Sequence, residues 1–186
     1  VTPVPSAPTI RPARPEDVPA VVAMVHELAD YEHAADQCGL TEAQLTAALF
    51  GPAPALFGHV AVDGHDEPVG FALWFLNFST WAGTHGIYLE DLYVRPGARG
   101  TGAGRLLLAA LADICVRRGY QRLDWWMLNW NPAAGFYAAI GADRLDEWVP
   151  YRLTGAALRD LAGQAGTVPT RSAARTGRVP DRRGEA

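Results

Sequence analysis

Val18, Val21, Val22, Val25 and Leu28 recur at the three- and four-residue intervals of one helical face. Pro15, Glu16 and Asp17 stand just ahead of them. Proline fits a first helical turn and acids suit its dipole, so a helix is predicted to open at Pro15. Ile10 to Ala13 reads as a short strand before it. A second helix is predicted from Thr41, whose spacing to Gln44 has the form of a capping box. The period then changes. Leu56 to Val62, Pro68 to Asn77, Gly86 to Val94 and Arg122 to Leu128 read as four strands, the second apolar and aromatic enough for a central position. Gly64-His65-Asp66 marks the turn between the first two. A helix from about Gly102 to Arg118 separates the third from the fourth. Pro132 to Ile140 predicts another short helix, stopped by Gly141. Residues 143–153 predict a final hairpin, and Thr154 starts a terminal helix that fades near Gly163.

This order predicts one α/β domain over residues 9–163, with helices on both faces of a mixed sheet. Residues 1–8 are Pro-rich, and residues 164–186 are rich in Arg, Gly, Thr and Pro; both are expected to be disordered. The apolar runs are too short to cross a bilayer, as Leu106 to Ala112, ended by Asp113, illustrates. No basic stretch followed by an apolar one opens the chain, so a secretory signal is not expected. Cys38 and Cys115 sit in unrelated contexts and suggest neither a disulfide framework nor a metal site; a cytoplasmic setting is expected.

Charge and composition narrow the chemistry. Every one of the 16 basic residues is Arg. Without lysine there is no Schiff-base nucleophile and no Walker A lysine, which excludes pyridoxal-phosphate enzymes and disfavours a P-loop NTPase. Five arginines against Asp181 and Glu185 give residues 165–186 a balance of +3, which leaves −7 on residues 1–164 out of the total of −4. An acidic body repels nucleic acid and attracts cations, although solubility alone also accounts for it. The five histidines form no metal-ligand pattern, and no G-x-S-x-G elbow occurs.

The strongest local signal is Arg99-Gly100-Thr101-Gly102-Ala103-Gly104, between a predicted strand and a predicted helix. Alternate glycines let the backbone turn tightly and aim several N–H groups into one concavity at the helix start, a cradle for a diphosphate with Arg99 lending charge. Taken alone, the loop reads equally as a tight turn. The spacing is not G-x-G-x-x-G, and Asp124 lies inside a strand rather than at its end, which weakens a nicotinamide reading.

The stretch Val94-Arg95-Pro96-Gly97-Ala98-Arg99-Gly100-Thr101-Gly102-Ala103-Gly104 resembles motif A of the GCN5-related N-acetyltransferase (GNAT) superfamily. Leu28 to Glu32, Phe78-Ser79-Thr80-Trp81, Tyr88 to Val94, Trp130-Asn131, and Phe136-Tyr137 through Gly141-Ala142 resemble its spermidine/spermine and thialysine N-acetyltransferase branch. The resemblance implies the GNAT fold, with a mostly antiparallel central sheet, and acetyl-CoA as co-substrate without a metal. It implies Glu90 as general base and Tyr137 as general acid. Main-chain amides of Leu92, Tyr93 and Val94 would serve the acetyl group. Arg99, Gly100, Thr101, Gly102, Ala103, Gly104, Arg105 and Asn131 would hold the coenzyme. Tyr31, Glu32, Glu90, Asp124, Trp125 and Trp126 would contact the amine. It also implies a homodimer acting on a small cationic amine, with no nucleic-acid or membrane partner.

Each of these residues also has a plainer reading. Glu90 could be a solvated strand acid, Tyr137 an amphipathic core residue, and one of Trp125 and Trp126 a core side chain. Asp91 is expected on the opposite face of the strand from Glu90, as a structural residue or at the edge of the amine pocket. Two departures stand out. Ser79 replaces an aspartate of the polyamine-acetylating members, and Asn129 replaces a common carboxylate before Trp-Asn. The stretch from Trp130 to Tyr137 is also one residue shorter than in the branch. A protein or aminoglycoside N-acetyltransferase and a catalytically silent acyl-CoA-binding module are the other readings; retention of Glu90 and Tyr137 argues against the latter.

Overall fold

The computed structural model describes residues 7–165. Its sheet runs in the order β1 (Thr9–Pro12), β2 (Phe57–Val62), β3 (Pro68–Ser79), β4 (Thr84–Val94) and β5 (Leu123–Asp124). Neighbours are antiparallel except β4 and β5, which pair in parallel at Ile87–Leu123 and Tyr88–Asp124. The helices are α1 (Val18–Tyr31), α2 (Glu42–Phe50), α3 (Ala103–Arg118), α4 (Ala134–Ala139) and α5 (Gly155–Ala162). The expectations of disorder before Thr9 and after Gly163 fall largely outside the described residues. No described helix is long and apolar enough to cross a membrane. The chain divides into two compact units, up to Ala142 and from Asp143 onward, each described by itself.

In the first unit the sheet separates two cores. On one face Val18, Val21, Val22 and Met24 of α1 and Leu45 and Leu49 of α2 cover Val60, Val62, Phe71, Leu73 and Tyr93. On the other face Leu107, Leu108, Leu111 and Cys115 of α3 cover Ala61, Ala72, Trp74, Ile87 and Leu89. Helices on both faces of a mostly antiparallel sheet follow from the sequence order. Burial of this apolar surface is the main force holding the layers together.

Local signals account for the helix ends. The Thr41 side chain accepts from the Gln44 N–H at 3.3 Å, and Gln44 Oε1 accepts from the Thr41 N–H at 2.9 Å, completing the capping box. Pro15–Asp17 forms a 3₁₀ turn rather than the first turn of α1. Asp17 is 3% exposed. Its carboxylate accepts from the Arg11 guanidinium at 2.6 and 2.9 Å and from the Arg14 N–H at 2.7 Å, so a buried charge is fully paired. Arg11 also reaches Asp66 at 2.9 Å, tying β1 to the β2–β3 turn.

Two expected elements differ. The strand expected over Arg122 to Leu128 shrinks to Leu123–Asp124, because its ladder with β4 ends where β4 is interrupted at Glu90. In the second unit the hairpin expected over residues 143–153 does not form. A turn closes between Leu145 O and the Trp148 N–H at 3.3 Å, but no strand flanks it, and Pro150 brings no N–H donor for a returning ladder. Trp148, Val149 and Tyr151 remain exposed there.

Candidate active site

The feature that builds the site is a β-bulge. Leu73 of β3 pairs with Asp91 and Trp74 pairs with Leu89, which leaves Glu90 as an extra residue on β4. Such a residue shifts the side-chain alternation by one. Ile87 and Leu89 face α3, and so do Leu92 and Val94, whereas Tyr93 lies in the α1 core. Glu90 and Asp91, between Leu89 and Leu92, therefore share the α1 face. This corrects the expectation that they point to opposite faces. The apolar pairs Ile87/Leu89 and Leu92/Val94 are themselves out of phase, which is the signal that could have revealed the bulge.

Their environments differ. Glu90 is exposed and Asp91 is partly buried. Burial, reinforced by the charges of Glu90 and Glu32, pushes the Asp91 carboxyl up to about 6. Burial also raises Glu32 above the ordinary glutamate value. Three acids thus gather at the C-terminal end of α1 and the bulge. Asp91 has no hydrogen-bond donor among the described residues.

Beyond Tyr88, β4 has no strand on its β5 side, since β5 pairs only at Ile87 and Tyr88. Main-chain groups of Leu92, Tyr93 and Val94 that turn that way are not taken up by a neighbouring strand, as the expected acetyl-binding role requires. The chain then passes through a 3₁₀ turn, Pro96–Ala98, into the glycine loop. Gly100 and Gly102 have φ of 79° and 91°, which other residues adopt only with strain. Nothing lies within 4 Å of the space a side chain would fill at either glycine. Gly102 caps α3 without a side-chain acceptor, so the amides of Ala103, Gly104 and Arg105 face an open concavity at a helix start. Thr101 donates its hydroxyl to Ala98 O at 2.8 Å and shapes the loop, and Arg105 is exposed beside it. These residues fit the diphosphate of a coenzyme.

Arg99 departs from expectation. Its Nε donates to Val94 O at 3.0 Å, and its guanidinium carbon lies 5.4 Å from the Tyr31 ring centre and 5.7 Å from that of Tyr93. The side chain turns to the α1 side of the sheet and leaves the cradle to backbone amides.

α4 reaches the same loop through Phe136, the neighbour of Tyr137. Phe136 lies 3.9 Å from the side-chain position of Gly104, and the Tyr137 ring packs 4.9 Å from Trp125. Burial raises the Tyr137 hydroxyl above its ordinary value, so it holds its proton at neutral pH. Asn131 Oδ1 accepts from the Ala133 N–H at 3.0 Å, so this side chain shapes the entry to α4.

The expected amine contacts divide. Tyr31 and Glu32 lie at the end of α1, on the side of the sheet that carries the bulge acids. Trp126 is exposed and meets Tyr88 edge-on at 5.9 Å. Trp125 instead packs in the α3 core beside Tyr137. Asp124 accepts from Asn77 at 2.9 Å and from Arg122 at 3.0 Å, so its charge is spent within the protein. Sequence reasoning missed Trp130, whose ring centre lies 6.0 Å from Tyr31 and 5.7 Å from His33. No group of His, Cys, Asp and Glu suited to a metal occurs among the described residues.

The model of the acetyltransferase (GNAT) family matches residues 22–142. Thialysine N-epsilon-acetyltransferase of Bos taurus is 37% identical over 166 residues, covering 83% of this chain and 97% of the relative. L-ornithine N5-acetyltransferase of Arabidopsis thaliana is 30% identical over 197 residues, covering 82% and 86%. Among solved structures, an integron cassette protein from the mobile metagenome of V. cholerae superposes with a TM-score of 0.70 at 32% identity, covering 84% of this chain and 98% of that one.

Proposed function

The chain belongs to the acetyltransferase (GNAT) family, which uses acetyl-CoA as co-substrate, and on that premise we propose that it acetylates a primary amine of a small cationic substrate: a diamine, a polyamine or a lysine analogue such as thialysine. One observation carries this reading. The glycine cradle, open at Gly100 and Gly102, follows directly on the part of β4 that has no β5 partner and that carries the bulge acids Glu90 and Asp91.

Acetyl-CoA, when bound, supplies a thioester for the amine to attack. The amides of Gly100 to Arg105 hold its diphosphate, Asn131 lies beside its arm, and amides of Leu92, Tyr93 and Val94 donate to the acetyl oxygen. An ammonium must lose a proton before it can attack. Glu90 takes that proton as general base, beside Asp91, whose carboxyl is pushed up to about 6 by burial and by the charges of Glu90 and Glu32. Tyr137 donates a proton to the departing sulfur, since its hydroxyl, raised by burial, still carries its proton at neutral pH. Glu32, Tyr31 and Trp126 contribute charge and aromatic faces for the cation. Asp124 is the weakest of the expected contacts, since Asn77 and Arg122 already engage it.

The test is thiol release from acetyl-CoA against thialysine, lysine, ornithine, putrescine, spermidine and an aminoglycoside. Turnover of at least one small diamine or lysine analogue is expected, and Glu90→Gln should lower its kcat by at least tenfold. No turnover with any small amine would refute the proposal. Family resemblance also supports a homodimer, for which sedimentation is the measurement, and cysteine usage favours the cytoplasm.

A further inference from the structure

α1, α3 and α4 end alike. In each the chain leaves the helix through one residue of positive φ, and two main-chain bonds close the last turn. At α3 that residue is Gly119, with φ of 69°; its N–H donates to Val116 O at 3.3 Å, and the Tyr120 N–H to Cys115 O at 2.8 Å. At α4 it is Gly141, with φ of 85°; its N–H donates to Ala138 O at 3.0 Å, and the Ala142 N–H to Tyr137 O at 3.1 Å. At α1 it is His33, with φ of 59°; the same two bonds run to Asp30 O at 3.0 Å and from the Ala34 N–H to Ala29 O at 2.9 Å. Glycine suits this position because it has no Cβ to crowd the backbone, and a histidine there is strained. The end of α1 therefore gives up stability that a glycine would supply.

The side chain shows what the strained position is used for. Its imidazole lies on the indole of Trp130, with ring centres 5.7 Å apart and planes 25° from parallel. Trp130 also meets Tyr31, the last residue of α1, at 6.0 Å. Trp130 belongs to the stretch between β5 and α4, which no strand ladder holds. Asn131 follows it, with its N–H on Leu128 O at 2.9 Å and its Oδ1 on the Ala133 N–H at 3.0 Å, and so opens the path to α4 and Tyr137. Earlier in the same stretch, Trp125 packs in the α3 core. Trp130 is where the stretch touches α1, next to Glu32.

We infer that His33 is a positioning residue: from a helix end that favours glycine, its ring holds Trp130 against α1 and so fixes the Trp130–Tyr137 segment relative to the acids of the amine side. Strained backbone kept at a position where an unstrained residue would serve the fold marks a residue retained for its side chain. Stacked rings suit the task, since two flat faces in contact restrict both the distance and the tilt of the indole. The effect on turnover rests on the reaction proposed above; the hold on Trp130 does not. A displacement of about 1 Å in a segment that carries a reacting group can cost about a hundredfold in rate.

His33→Gly and His33→Phe form the test pair, because one relieves the backbone and removes the ring while the other keeps a ring. Melting temperature and initial rates with the amine that wild type turns over fastest are compared for all three proteins. His33→Gly should melt at or above wild type, yet its kcat/KM for the amine should fall about tenfold or more. His33→Phe should recover most of that loss. A residue that merely ends the helix predicts the reverse, a glycine variant at least as active as wild type, and that result overturns the inference. A glycine variant that melts well below wild type also overturns it, since the ring would then serve the fold, as does a phenylalanine variant as slow as the glycine one. If wild type acetylates none of the amines, the proposed reaction fails and the hold on Trp130 is read directly. The indole N–H resonance of Trp130, identified by its loss in Trp130→Phe, should shift in His33→Gly and return toward its place in His33→Phe. A resonance that stays in place in His33→Gly, or that does not return in His33→Phe, overturns the positioning role as well.

Discussion

Replacing Asp91 by Asn should make the protein more stable at pH 7 and less active. In the folded state the Asp91 carboxyl ionises at about 6 rather than at its ordinary value of 3.8, so the fold resists its negative charge. At about 1.4 kcal/mol per unit, that displacement is a ceiling of about 3 kcal/mol. Asp91 keeps some contact with water, so a gain of about 1–2 kcal/mol at neutral pH is the working expectation. The sign follows from linkage. A carboxyl raised on folding binds its proton more tightly in the native state. Its favourable contribution is complete below about pH 4 and is lost as pH rises through 6. Asn carries no charge at any pH, so the stability difference between variant and wild type should grow from pH 4 to 6 and then level off. Urea unfolding at half-unit steps from pH 4.5 to 8 measures it. Activity should move the other way, because this acid stands beside Glu90, the proposed general base. A variant less stable than wild type at pH 7, or a difference that does not vary with pH, would refute this account of Asp91.

Tyr137→Phe should lower kcat by at least tenfold with little change in KM for acetyl-CoA, since only the proton donor is removed; full turnover would withdraw the assignment. Gly102→Ala forces a side chain into φ of 91°, so stability should drop by about 1–2 kcal/mol and KM for acetyl-CoA should rise, measured by melting and initial rates. Asp17→Asn leaves the Arg11 guanidinium without its main partner and should destabilise by about 3 kcal/mol. Burial works to raise the Asp17 carboxyl, but hydrogen bonds from Arg11 and the Arg14 amide prevail and hold it below its ordinary value. Wild type should therefore lose this advantage as pH falls below about 3.8, and the gap to Asp17→Asn should close in acid.

Much of the fold was legible because local chemistry and hydrophobic period agree. The Thr41–Gln44 box, the apolar stripe of α1 and the glycine loop before α3 each form where their residues direct. The misses have physical causes. The short β5 depends on where β4 bends, which is a tertiary fact, and the missing hairpin depends on strand partners that Leu145 and Val149 do not find within their own unit. Arg99 could not be placed because a long, flexible side chain can serve either side of a loop, and two distant tyrosines decide which. Asp91 was underrated because regular alternation was assumed through a stretch that breaks it.

That break also constrains how the gene can vary. Deleting Glu90 would leave a regular strand, in which Leu89 and Leu92 alternate across Asp91 and every position downstream keeps its face and its partner on β3. The layers would survive and the glycine turn would start from the same side of the sheet. A three-base deletion here, harmless to reading frame and to packing, would fall on the chemistry alone.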